Sequence, residues 1–307
     1  MIIPLFFDLL KNNGQMTHFY QVFFSFIKFW IIVNKKEEYM KFESYYLDSP
    51  IKKGRVFDVF YPAEGAPERD YAVFFVHGGG WRAGARDIYH IIMDELNRRG
   101  YICASTDYRL DAKDAFEQMS DIREAYDKFV GILKTRGGKM PKIATYGSSA
   151  GAHLSSLVAF AEPGELGEDV SKLQYPEVRP GKAILQATPY DFLHFEGMMP
   201  QFWATMQNIA GAPYDKEPER YERLSLKNIV RKDNPETFFV EAEYEHLFDP
   251  RFNREIALQH REMGINSHWK MYDRVEHGFM YELTRKMQKA AFEDICLFLE
   301  DKLVTEF

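Results

Sequence analysis

One short stretch restricts this chain more than any other: Tyr146-Gly147-Ser148-Ser149-Ala150-Gly151, which contains Gly-x-Ser-x-Gly. The residues entering it, Lys142-Ile143-Ala144-Thr145-Tyr146, have strand character, and residues 150–159 have helix character. A strand that turns at once into a helix leaves little room at the turn, so Gly147 and Gly151 relieve crowding there. Such a turn raises the Ser149 hydroxyl above the carboxyl end of a sheet. The following helix aims its N-terminal amides at the same point. The pattern also occurs as an ordinary glycine-rich turn, so its meaning depends on what accompanies it.

Two further stretches accompany it. The apolar run Ala72-Val73-Phe74-Phe75-Val76, typical of a buried parallel strand, opens into His77-Gly78-Gly79-Gly80-Trp81. Glycines there let backbone N–H groups turn toward a substrate. Late in the chain, Val275-Glu276-His277-Gly278-Phe279 follows a strand-like run and precedes a helical one over 280–299. A base that takes the Ser149 proton belongs on such a loop, and among nine histidines His277 is the one at a strand-to-helix junction followed by glycine. An acid that orients this histidine should lie just past a strand. After Thr237-Phe238-Phe239-Val240-Glu241-Ala242, Glu245 is the best-placed candidate and Asp249 the second, while Glu243 still belongs to the strand. The chain order is then Ser, acid, His.

These residues resemble the α/β-hydrolase superfamily, in the esterase and lipase branch that carries a His-Gly-Gly-Gly oxyanion loop. That branch includes hormone-sensitive-lipase-like, acetyl-xylan and feruloyl esterase-like proteins and kynurenine formamidases. The resemblance covers about residues 45–303. It implies a mostly parallel central sheet with helices on both faces and a small cap insertion. It also implies that the N–H groups of Gly79, Gly80 and Ala150 form the oxyanion hole, and that His77 shapes the loop. The branch usually reads Gly-Glu-x-Asp at the acid; here Ala242-Glu243-Tyr244-Glu245 stands there, which puts Glu245 on the acid position. The stretch Asp107-Tyr108-Arg109-Leu110 matches one that ties the oxyanion loop to the core in the resembling families.

Strand and helix patterns alternate from about residue 55 onward, as a parallel sheet covered by helices requires. At 307 residues the chain holds one large domain, here residues 41–307. The alternation breaks between Asp191 and Pro235. An insertion at about 192–235, rich in aromatic residues and methionine (Phe192, Phe195, Met198, Met199, Phe202, Trp203, Met206), is either a satellite cluster of short helices or a cap over the acyl pocket. The cap reading places Tyr190, Phe202 and Trp203, together with Trp81, at the substrate pocket. His153, on the first turn of the elbow helix, is read as a packed structural histidine rather than a second base.

Residues 1–40 form a separate apolar segment. Residues 19–33 are short for a membrane span, and no basic region leads into a small-residue cleavage site. Three readings stand open: a helix packed on the body, an interfacial anchor that would give membrane contact, which is not the preferred one, and sequence upstream of a start at Met40. A net charge of −7 without a basic stripe argues against nucleic acid. The two cysteines, Cys103 and Cys296, fall in apolar settings, which suits buried thiols in a reducing, cytoplasmic compartment.

The expected chemistry is acyl transfer to water by a serine carboxylesterase. It needs no metal and no organic cofactor, and its partner is a small ester, acylated carbohydrates included. An arylformamidase-like amide hydrolase is the alternative. A non-catalytic ligand-binding protein on the same fold is the alternative of another class; it would have no need of Ser149, His277 and an acid as a set. Oligomeric state is not readable from the sequence.

Overall fold

Burial on both faces is what turns the continuous apolar runs into interior strands. In the computed structural model, described over residues 41–193 and 200–306, the strands are β1 (Phe42–Tyr46), β2 (Val56–Phe60), β3 (Tyr71–Val76), β4 (Cys103–Thr106), β5 (Lys142–Ser148), β6 (Lys182–Gln186), β7 (Glu236–Tyr244) and β8 (His268–Glu276). They form one sheet in the order β1-β2-β4-β3-β5-β6-β7-β8. The β1–β2 and β2–β4 pairs are antiparallel and every other pair is parallel. All residues of β3, β4 and β6 are buried, so these strands show no polar alternation.

Helices cover both faces. They are α1 (His90–Arg98), α2 (Ala115–Thr135), α3 (Ala150–Phe160), α4 (Pro200–Ala210), α5 (Pro218–Leu224), α6 (Arg251–Glu262) and α7 (Lys286–Leu299). Alternation along β3 separates the faces: Phe74 packs on Tyr126 and Phe129 of α2, whereas Phe75 packs on Tyr89 just before α1. Phe160 of α3 meets His260 of α6 on the α2 side. Phe238 of β7 meets Phe298 of α7, and Arg99 beside α1 pairs with Glu293 of α7 on the other. Every residue of α3 is buried; its sequence is mostly small and apolar, and the buried Ser155 and Ser156 hydroxyls donate to backbone carbonyls within the helix.

Two elements differ from the sequence pattern. Strand β1 adds a largely exposed edge that its mixed sequence, FESYY, does not announce. The helix expected from 280 starts only at Lys286. Gln288 accounts for the delay: its Oε1 accepts from the Arg285 N–H at 2.7 Å and its Nε2 donates to the Phe279 carbonyl at 2.8 Å. These bonds fix a short 3₁₀ turn, Phe279–Tyr281, ahead of the helix.

Between β6 and β7 the chain builds α4, α5 and a 3₁₀ turn, Leu226–Ile229. Residues 1–40, with the apolar segment 19–33, lie outside the described residues, as do Phe195, Met198 and Met199. Among the described residues, no helix is long and apolar enough to cross a membrane.

Candidate active site

Parallel strands bring their carboxyl ends to one edge of the sheet, and the loops after β3, β5, β7 and β8 meet there. The loop after β5 is a single residue. Ser149 sits at φ 55°, ψ −125°, between β5 and the first residue of α3. Its N–H donates to the Gln186 carbonyl at 2.9 Å, which pins the turn to the end of β6. The flanking glycines are obligatory. A Cβ on Gly147 would lie 2.2 Å from the Gly151 carbonyl oxygen, and one on Gly151 would lie 2.1 Å from that of Val76.

The loop after β3 packs against this turn. A Cβ on Gly78 would meet the Ser148 carbonyl oxygen and the Tyr281 hydroxyl, each at 2.6 Å. Gly79, Gly80 and Trp81 all hold positive φ, at 115°, 57° and 60°. A Cβ on Gly79 would lie 2.3 Å from the Ala83 carbonyl oxygen, but one on Gly80 would meet nothing within 4 Å. Gly80 therefore faces open space beside the elbow. His77 is buried under this loop, with its Nδ1 2.8 Å from the Gly78 carbonyl oxygen and its ring stacked on Tyr108 at 4.2 Å. Burial holds its pKa below the ordinary histidine value. The Tyr108 hydroxyl donates to the His77 carbonyl at 3.0 Å, and Asp107 accepts from the Arg86 backbone N–H at 2.8 Å. Arg109 binds Asp121 through Nε and Nη2. The Asp107-Tyr108-Arg109 stretch thus anchors the loop and the strand end behind it.

After β8, His277 Nδ1 lies 2.7 Å from Glu245 Oε2. The Glu245 carboxylate is 1% exposed, and its other oxygen accepts the backbone N–H groups of His246 and Leu247 at 3.0 and 2.8 Å. Three donors therefore fix its plane. Asp249 is engaged elsewhere. It accepts from the Arg251 backbone N–H at 3.0 Å and from the Arg251 guanidinium, and these bonds hold its carboxyl below the usual pKa. Gly278, at φ 73°, lets the chain leave His277 in a left-handed turn.

A family model described as BD-FAE matches residues 57–255. The chain belongs to the BD-FAE family. Its strand order and helix placement are those of the α/β-hydrolase fold, in the esterase and lipase group. The chain is similar to versiconal hemiacetal acetate esterase of Dothistroma septosporum, at 25% identity over 67% of this chain and 65% of that protein. It is 34% identical to a probable carboxylic ester hydrolase, LipM, of Mycobacterium tuberculosis, over 62% of this chain and 45% of that one. The chain thus spans about half to two-thirds of the length of these relatives. Among solved structures, esterase B of Lactobacillus rhamnosis superposes with a TM-score of 0.72 at 18% identity, over 86% of both chains. Thermogutta terrifontis esterase 2, phosphonylated by sarin, gives 0.68 at 18% identity over 86% of this chain and 96% of that one.

Around this BD-FAE site the aromatic residues divide. Trp81 departs from its expected place on the pocket wall, because its side chain has no exposed surface. It packs beneath the loop against Phe192 and Phe202, and its Nε1 donates to His153. Phe202 is half-buried and bridges Trp81 to Phe248. Phe248, which the sequence pattern did not single out, also meets the His277 ring at 5.7 Å. Its position three residues past Glu245 was the available signal. Trp203 packs on Tyr221 inside the insertion, and Tyr190 stacks on Phe252 at 4.3 Å where α6 begins. Cys103 and Cys296 are buried free thiols.

Proposed function

We propose that this chain is a serine carboxylesterase that cleaves small acyl esters, acylated carbohydrates among them, through Ser149, His277 and Glu245. One observation carries the reading most: the buried, triply bonded Glu245 carboxylate holds His277 by Nδ1, on the same sheet edge as a serine in a strained elbow. With Nδ1–H donating to Glu245, Nε2 is the nitrogen that takes the Ser149 proton. The Ser149 oxygen attacks the ester carbonyl carbon. The N–H groups of Gly79, Gly80 and Ala150 receive the developing oxyanion, each donor contributing roughly 2.7–4 kcal/mol in comparable sites. His277 then protonates the leaving alcohol, and water hydrolyses the acyl-enzyme with the roles reversed. Glu245 keeps its charge throughout and stabilises the imidazolium. Asp249 takes no part, because Arg251 occupies it.

The names of the curated relatives, an acetate esterase and a carboxylic ester hydrolase, support ester cleavage with short acyl groups. The half-buried Phe248, adjacent to His277, and Phe202, which packs on Phe248, support a leaving group with an apolar or aromatic face. The insertion then acts as the cap. The test is hydrolysis of a p-nitrophenyl ester series from acetate to decanoate, with an aryl formamide alongside, by the wild type and Ser149→Ala. Turnover of short esters that vanishes in the variant is expected. Equal turnover by both proteins would remove Ser149 from the reaction, and preference for the formamide would move the substrate class to amides.

A further inference from the structure

One imidazole joins the three segments that surround the elbow. His153, on the first turn of α3, is fully buried. Its backbone N–H donates to the Ser149 carbonyl at 3.0 Å. Its Nε2 lies 2.8 Å from the Leu224 carbonyl oxygen, an acceptor only, so Nε2 carries the proton. Nδ1 is then a bare acceptor, and Trp81 Nε1–H donates to it at 3.2 Å. The two rings meet edge to face at 5.6 Å, and Phe192 closes the third side at 4.8 Å. Leu224 ends α5 in the insertion, and Trp81 follows Gly79 and Gly80 directly.

We propose that His153 is a positioning residue that couples the seating of the insertion to the oxyanion loop through Trp81. Trp81 holds a left-handed backbone, φ 60°, which an L-residue keeps only under outside constraint. Four bonds supply that constraint: the Arg82 and Ala83 backbone N–H groups donate to the Gly79 carbonyl and close the turn around Trp81, Gln118 Nε2 donates to the Trp81 carbonyl at 2.8 Å, and His153 anchors the indole. Gln118 belongs to the core helix α2, so of the two side-chain bonds to Trp81 the one to His153 is the bond tied to the insertion, beside the ring contacts with Phe192 and Phe202. Burial holds the His153 pKa down, at about 4, so the accepting nitrogen stays free of a proton at neutral pH. The side chain acts on the oxyanion donors and does not touch substrate.

The inference rests on the serine-hydrolase reading of Ser149. Its test uses His153→Phe and Trp81→Phe, which keep an aromatic ring and remove the bond, and His153→Asn, whose Oδ1 can accept near the former Nδ1 position. Melting temperatures establish that each variant is folded. Steady-state kinetics on p-nitrophenyl acetate are read beside the inhibition constant of a trifluoromethyl ketone, which mimics the tetrahedral adduct. The expected result for both Phe variants is a fall in kcat of about 10-fold, with KM within twofold of wild type and inhibitor affinity weakened in step with kcat. His153→Asn should recover most of the loss. Unchanged kcat in the folded Phe variants, a loss confined to KM, or undiminished inhibitor affinity would overturn the coupling. Turnover that survives Ser149→Ala would overturn the hydrolase reading instead, which keeps the two failures apart.

Discussion

Ser149 occupies a backbone conformation that costs of order 1–3 kcal/mol for a residue with a side chain. The neighbouring glycines show how little freedom remains to relax it. Gly151→Ala would drive a Cβ to 2.1 Å from the Val76 carbonyl oxygen, so it should destabilise the fold by about 3 kcal/mol or more in urea unfolding. Gly80→Ala is the informative contrast. Its Cβ would enter open space at φ 57°, so only the left-handed penalty of about 1–2 kcal/mol applies. The variant should fold and still lose ester turnover, because in the proposed mechanism the substrate carbonyl occupies the open space that the added methyl enters. The two carboxylates separate as cleanly. Glu245→Gln removes the charge that holds His277 and should lower kcat by about 10²–10⁴ with KM little changed. Asp249→Asn should stay within a few-fold of wild type, since that carboxylate serves Arg251. A stopped assay of both variants on one ester checks the pair.

At the scale of elements, the candidate site is made by strand ends, and the proposed function gives the insertion the role of setting specificity. The edge-to-face pair Phe202 and Phe248, with ring centroids 5.0 Å apart, joins the insertion to the loop that carries Glu245. Replacing either by Ala should cut kcat/KM for aryl esters about 10-fold relative to methyl acetate, as loss of one aromatic contact surface predicts. Equal loss on both substrates would place the pair in packing alone. The elbow, the glycine loop and His277 were legible in the sequence because each couples a backbone demand to a chemical group within five or six residues. The core strands were legible because burial on both faces leaves continuous apolar runs. Glu245 against Asp249 was not separable by spacing. What distinguishes them is the partner each meets, His277 across 32 positions or Arg251 two residues on. Trp81 shows the same limit: a large aromatic beside an oxyanion loop can line a pocket or brace it, and only the tertiary position of His153 decides. Strand β1 escaped because an exposed edge carries no apolar pattern.

Over the whole molecule, burial of uncharged histidines gives stability a specific pH dependence. His153 and His260 are buried and their pKa values are depressed to about 4 by that burial, below the ordinary 6.5. Between these values the unfolded chain binds more protons than the native one, so stability rises with pH across that interval. The stabilisation is fully present above about pH 6.5 and is lost as the pH falls toward 4. Melting temperature should therefore begin to fall below about pH 6.5, earlier than carboxylate protonation alone would cause. Replacing His260 by Asn should flatten that slope. A melting temperature constant from pH 7 to pH 5 would contradict it. The central claim, that the fold presents one activated serine, is tested most directly by mass. Incubation with a fluorophosphonate, followed by intact-mass measurement and peptide mapping, should give a single adduct on Ser149, absent in Ser149→Ala and formed more slowly in Glu245→Gln. No adduct on the folded protein, or an adduct that persists in Ser149→Ala, would contradict it.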